Sequence, residues 1–365
     1  MVFNIKTHLF MSNEDSKKIL FLFTELSGYL LHCFQLAKQS GFDIHVINYP
    51  INKEAPFEFK SENVIHLHDR KQFNSKQDIL NLISKLSPKL LMVSGWIDDL
   101  YLKTIKENTL KCKKVLMFDT PWENKLKQKI WIYIFKHSYL KYFNSVWVPG
   151  PKQSQYAKKL GFKENNIFHG LYSCNFDLFE NIFVESFLIK KQIFPKRFLF
   201  IGRYIDSKGF NELSKLFIEI IKDYNLNWEL WCVGTGEKWE DRMVHNKIKH
   251  FGFLQPEELK DVISQTGVFV MPSKFEPWGV VLHEMVTSGM PILVSDQVGS
   301  IHNFLNNNVN GMSFSYSKKD DFRNKLLKFM HLSDQELLKM GEESVLLSKK
   351  TTPSKWVETL NQIYD

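Results

Sequence analysis

Two cations and two acids are the residues of this chain whose types and spacing suit chemistry. Arg203 and Lys208 stand in "IGRYIDSKG" (201–209), directly after an apolar run. Lysine offers a point charge and arginine a planar fork of donors, which together match what a pyrophosphate needs. Two solvated loop charges would give the same pattern. Glu276 and Glu284 stand in "SKFEPWGVVLHEMVTSGMP" (273–291). One reading makes Glu276 a helix-cap acid and Glu284 a surface acid. The other makes them acceptors roughly 12 Å apart, at about 1.5 Å per helical residue, the extent of a sugar joined through a diphosphate to a ribose. A helix starting near Pro277 to Gly279 would then aim free N–H groups and its dipole at an anion between them. Glu284 lies among Val281, Leu282, Met285 and Val286, where an acid is costly to bury without a partner.

These residues need a scaffold that brings loop ends together. Apolar runs at 17–25, 42–50, 89–96, 113–122 and 144–150 read as buried parallel strands, each ending in a polar or Gly/Pro-rich loop. Residues 26–41 have helical spacing and a closing glycine, giving a strand–helix–strand unit. Residues 175–196 read as an irregular join. The rhythm restarts with runs at 197–203, 227–237, 248–254, 267–273 and 290–296. The expectation is α/β: two doubly wound domains, 1–180 and 181–352, facing each other across a cleft, with ligands at the carboxyl ends of the strands. The Gly234–Gly236 turn in "VGTGE" does not complete a dinucleotide fingerprint, because Trp239 stands where a third glycine is required. It suits close approach of a backbone to a ligand or a neighbouring loop.

Composition narrows the classes. The net charge of +8 is moderate, and no dense Arg/Lys tract or nucleic-acid motif accompanies it. Cys33, Cys112, Cys174 and Cys232 are widely spaced, which favours small buried residues in a reducing compartment over disulfides or zinc. Glu14 and Asp15 precede the first apolar run, unlike a signal peptide, and no apolar run reaches the length of a membrane span. The expected location is cytoplasmic, with the inner face of the cell membrane open.

The stretches "RFLFIGRYIDSKGF", "WELWCVGTGE", "FGFLQPEEL" and "VFVMPSKFEPWGVVLHEMVTSGMPILVSDQVGS" resemble, in order and spacing, the retaining, family-4-type glycosyltransferases of GT-B fold. The resemblance covers residues 197–316 and includes the E-x7-E pattern at Glu276 and Glu284. It implies that Gly202, Arg203 and Lys208 meet the diphosphate of a nucleotide sugar, a UDP-sugar above all. It implies that Glu276 meets the transferred sugar, Glu284 the ribose, Gly279 and Val280 the phosphate and sugar, and Phe251 to Phe253 the base. The first domain would then bind the acceptor, a glycan or lipid-linked glycan, and helix 353–365 would pack back on it. The likeness is looser there: Gly28 stands alone in "ELSGY" where the family often has two glycines, and Asp119 replaces a frequent histidine. Asp119 is the candidate polar group near the reacting carbon, or a strand-end turn residue. Ser300 and Asn303 stand where a glycine and a glutamate are usual.

No Asp-x-Asp pair occurs in the sequence. Cations and a helix start can supply the charge that a metal supplies elsewhere, so metal-independent transfer without a cofactor is expected. A nucleotide-sugar epimerase or hydrolase of the same fold, or a silent nucleotide-sugar-binding protein, are the rivals. Segment 124–143 carries five lysines, no acids and many aromatic or aliphatic residues. It reads either as a helix lying on an anionic membrane or as a core-facing helix with lysines in water.

Overall fold

The computed structural model describes residues 17–49, 63–107 and 110–365. Glu14, Asp15 and Pro50, used in the sequence reading, lie outside them. Strands β1 (Lys17–Leu22), β2 (Phe42–Asn48), β3 (His66–Asp69), β4 (Leu90–Ser94), β5 (Lys113–Met117), β6 (Ser145–Trp147) and β7 (Ile167–Phe168) form one sheet. Its order is β3-β2-β1-β4-β5-β6-β7, parallel throughout. Strands β8 (Arg197–Ile201), β9 (Glu229–Val233), β10 (Ile248–His250), β11 (Val268–Met271), β12 (Ile292–Ser295) and β13 (Gly311–Phe314) form the second. Its order is β10-β9-β8-β11-β12-β13, again parallel. Both sheets reverse direction beside their first strand, at β1/β4 and at β8/β11, where doubly wound folds open a ligand crevice.

The apolar strands are continuous because both faces are covered. Among the described residues the first sheet is flanked by α1 (Gly28–Gln39), α2 (Lys76–Leu86), α3 (Asp99–Ile105), α4 (Leu126–Ser138) and α5 (Pro151–Leu160). The second half carries α6 (Phe176–Gln192), α7 (Phe210–Tyr224), α8 (Leu259–Ser264), α9 (Val280–Thr287), α10 (Ile301–Phe304), α11 (Asp321–His331) and α12 (Asp334–Ser348). Each sheet has a core on either side. The last helix, α13 (Pro353–Tyr364), starts with a Thr352 cap and a proline in its first turn. It packs on α1 of the first half, with Trp356 4.8 Å from Trp147 and its indole N–H donating to the Leu171 carbonyl at 2.9 Å.

All ten apolar runs contain a strand. The segment 175–196 differs: it is no irregular join but the 17-residue helix α6, capped by Asn175. It packs against α8, α9 and α12, so position 180, taken as a domain limit, falls inside a helix of the second half. Strands β3, β7 and β13 also lacked a legible signal. The four cysteines are free thiols, and Cys33, Cys174 and Cys232 are buried.

Helix α4 has a buried side and an exposed apolar side. Gln128 and Phe135 are buried, while Leu126, Ile130 and Tyr133 are exposed at 72%, 53% and 68% on the outer face. No helix among the described residues is long and apolar enough to cross a membrane.

Candidate active site

The carboxyl ends of β8, β9 and β10 are laced together by backbone bonds. Gly202 N–H donates to Val233 O, Tyr204 N–H to Thr235 O and Gly234 N–H to Gly252 O. Gly234 has φ +131°, and a Cβ there would lie 2.1 Å from the Gly202 carbonyl oxygen. The close approach is therefore to a neighbouring loop, and no other residue fits. Beyond β8 the chain makes a short turn at Asp206–Lys208. The loop after β11 is tied to that turn by Lys274 N–H donating to Ser207 O at 2.8 Å.

These loops enclose a cavity of about 280 Å³ with a mostly apolar lining. Gly202, Arg203 and Lys208 line one part of it, Phe253 and Leu254 another, and Val280, Val281 and Glu284 the wall made by α9. Helix α9 begins at Val280, slightly later than the sequence reading placed it, and Pro277 stays outside. Gly279 caps it at φ +87°, where a Cβ would meet Met271 Cε at 2.7 Å and Glu276 Cγ at 3.0 Å. Val280 and Val281 of its first turn line the same cavity as Lys208 and Arg203, an arrangement suited to an anion.

Glu276 does not cap the helix. It forms an ion pair with Lys208, both largely buried. Its backbone is fixed by the "VGS" loop: Gly299 N–H donates to Glu276 O, Ser300 N–H to Trp278 O, and Ser300 Oγ to Gly279 O. Glu284 is partly buried at the cavity wall, and its apolar surroundings push its pKa up to about 7. Phe251 is not part of this lining. It packs on Trp231, ring centroids 5.1 Å apart, with Lys249 over its face.

A second hollow, of about 240 Å³, opens at the carboxyl ends of the first sheet. Glu25, Ser27, Trp96, Asp119 and Tyr172 line it, and Tyr29 lines both hollows. Burial, with the nearby charge of Glu276, raises the pKa of Asp119, which accepts a hydrogen bond from Tyr172. The two halves meet at Gln153, whose side-chain amide donates to Asp119 O at 2.8 Å and to Pro277 O at 2.7 Å. His283 is no base for this site: it is buried, takes the Cys174 N–H, contacts the Ser348 carbonyl, and has its pKa lowered to about 4 by burial.

Solved structures share this fold along nearly the whole chain. A glycosyltransferase from Rickettsia africae superposes with a TM-score of 0.73 over 96% of this chain and 98% of its own, at 14% identity. Anabaena HepE, in complex with UDP and glucose, gives 0.70 over 95% and 98%, at 13% identity. The fold is GT-B. Residues 185–344 match the family model "Glycosyl transferases group 1", a segment that contains the whole run from Gly202 to Glu284. An uncharacterized glycosyltransferase of Methanocaldococcus jannaschii is 32% identical over 133 residues, 34% of this chain and 33% of that protein. The chain thus spans about a third of that relative's length.

Within this GT-B frame, Arg203, Lys208, Glu276, Gly279, Val280 and Glu284 come together around the β8/β11 crevice, and Asp119 faces them from the first half. Sequence reasoning missed Tyr29, Thr235, Ser273 and Gln153. "ELSGY" pointed to the right loop for Tyr29, and no local pattern marks Gln153.

Proposed function

We propose that this chain is a glycosyltransferase that moves a hexose-type sugar, with retention of its anomeric configuration, from a nucleotide-diphosphate sugar to an acceptor hydroxyl. The observation that carries the reading is the ion pair of Lys208 and Glu276 beside Arg203, Glu284 and the start of α9. Arg203, Lys208 and the α9 N–H groups stabilise the leaving diphosphate. Glu276 accepts from hydroxyls of the sugar and keeps Lys208 oriented, and Glu284 accepts from the ribose. The acceptor enters from the hollow of Glu25, Asp119 and Tyr172, and its hydroxyl attacks on the face from which the diphosphate leaves. The departing phosphate takes the proton. Asp119, at the join of the two hollows, orients the acceptor.

UDP-sugar is the proposed donor, supported by HepE, whose structure holds UDP and glucose in the same fold. Transfer is proposed to be metal-independent, because two cations and a helix start already face the diphosphate position. The acceptor is proposed to be a glycan or lipid-linked glycan, reached at the inner membrane face through the exposed side of α4.

Turnover of a nucleotide-sugar panel, with and without acceptor and in excess chelator, tests this. Arg203→Ala and Lys208→Ala are each expected to lower turnover by about 100-fold or more, in line with lost charge stabilisation worth roughly 3 kcal/mol. Near wild-type rates in both variants overturn the diphosphate assignment. Full donor turnover without acceptor points to a hydrolase or epimerase, and loss of activity in chelator overturns metal independence.

A further inference from the structure

A cluster of three histidines and an aspartate lies on the outer strands of the first sheet, apart from both hollows. Strands β2 and β3 are parallel with His45 opposite His66 and Ile47 opposite His68. Side chains two apart on a strand share a face, so Asp43, His45, His66 and His68 project from the same side. Asp43 lies between two imidazoles, its oxygens 3.5 Å from His45 Nε2 and 3.2 Å from His66 Nε2. One donor atom from each of Asp43, His45 and His66 fits within a mutual distance of 4.8 Å. Tetrahedral ligands bound at about 2.0–2.1 Å sit about 3.4 Å apart, so small side-chain rotations bring one Asp43 oxygen, which now faces one imidazole while the other oxygen faces the second, into a common shell with both.

The remaining nitrogen of His45 is also accounted for. Its Nδ1 lies 3.2 Å from His68 Nε2. A hydrogen bond from His45 Nδ1–H to His68 leaves the lone pair on Nε2, facing Asp43. A partner on the far nitrogen is the usual way a metal-binding imidazole is oriented. His45 is buried and fixed, while His66 is 64% exposed at its side chain and free to tilt. The two rings are stacked 4.4 Å apart at 17°, so their in-plane lone pairs run side by side, and metal binding requires the exposed His66 ring to rotate until its Nε2 converges with that of His45.

We propose that Asp43, His45 and His66 form a binding site for a divalent transition-metal ion of the zinc class, with His68 as a positioning residue and water completing the coordination. Two imidazoles and one carboxylate form a donor set that suits such ions rather than Mg²⁺ or Ca²⁺. The ion clips β3, a short and largely exposed edge strand, to the buried β2. Edge strands are the weak margin of a sheet, and a clip that exists only in the folded chain stabilises it by mass action. The site is structural and independent of the sugar-transfer reading.

Zn²⁺ alone is the probe, with chelator-stripped full-length protein. Wild type is expected to retain close to one Zn²⁺ per chain after gel filtration, and its thermal midpoint to rise with Zn²⁺ concentration. His66→Ala, at an exposed position, is expected to keep the metal-free midpoint and lose both effects, and Asp43→Asn to lose both. His68→Ala is expected to bind roughly tenfold or more weakly, whereas Cys112→Ser binds as wild type. No retention and no shift in wild type overturns the proposal. So does His66→Ala or Asp43→Asn behaving as wild type, which would place the ion elsewhere.

Discussion

At the scale of single residues, Glu284 links the cavity to pH. It shares the cavity wall with Val280 and Val281, and burial alone raises its pKa from 4.5 to about 7. The ionised form is the stronger acceptor, so in the proposed role a ribose binds the deprotonated state. UDP affinity is therefore expected to rise with pH through about 7 and to level off above it. Glu284→Gln is expected to bind UDP more weakly with a flat profile over the same range, as isothermal titration at several pH values would show. The stability of the free protein runs the opposite way. The fold binds this proton more tightly than the unfolded chain does, so the contribution is complete below 4.5 and is lost as pH rises through about 7. An identical slope of UDP affinity with pH in wild type and Glu284→Gln removes Glu284 from the ribose role.

At the scale of elements, legibility followed unbroken apolar runs, which the short buried β13, "GMSF", does not have. Strands such as "RFLFI" and "VFVM" are covered on both faces, so their apolar runs stand out from the loops around them. Strand β3, "HLHD", lies at an edge and has no such run. Helix α6 looks irregular in sequence because Val184, Leu188 and Ile189 are exposed while Lys190 is buried, which blurs any apolar stripe. The charged residues of the cavity were readable because loop cations and a helix start follow local rules, whereas Tyr29 and Gln153 join the site only through tertiary packing. Helix α4 shows the same limit from the other side. Its sequence fits a core helix or a membrane-surface helix, and the structure shows one buried side and one exposed apolar side. Leu126, Ile130 and Tyr133 recur along the outer face, with Lys127, Lys129 and Lys136 exposed beside them. Amphipathic binding combines apolar insertion with attraction to anionic lipid. Full-length protein is expected to float with anionic vesicles at low salt, less at high salt, and Ile130→Asp with Tyr133→Asp to abolish flotation. Absence of wild-type binding at low salt rules out this surface.

At the scale of the whole molecule, the proposed transfer requires the two halves to hold donor and acceptor in register, because it depends on reacting atoms being placed within contact distance. The cavity of Arg203, Lys208 and Glu284 comes almost wholly from the second half, with Tyr29 as the contribution of the first. The hollow of Glu25, Asp119 and Tyr172 comes from the first half alone. Between them, the Gln153 amide bonds the backbone of Asp119 on one side and of Pro277, next to Glu276, on the other. Trp278 reinforces this joint: a Cβ at Gly150, at the start of α5, would lie 2.6 Å from its ring. Lys152 adds a longer bond to Asp296 O at 3.4 Å. Gln153→Ala removes two buried hydrogen bonds and leaves two carbonyls unpaired, a cost of about 1–3 kcal/mol. Because no atom of Gln153 lines the donor cavity, UDP affinity is expected to change less than about twofold. Turnover at saturating donor is expected to fall about tenfold or more, the equivalent of roughly 1.4 kcal/mol in misplacement of the acceptor. Titration calorimetry and steady-state kinetics on the same preparation separate the two quantities. Equal losses in UDP binding and turnover would show general unfolding of the site, and no loss in either would show that the halves are held in register without this joint.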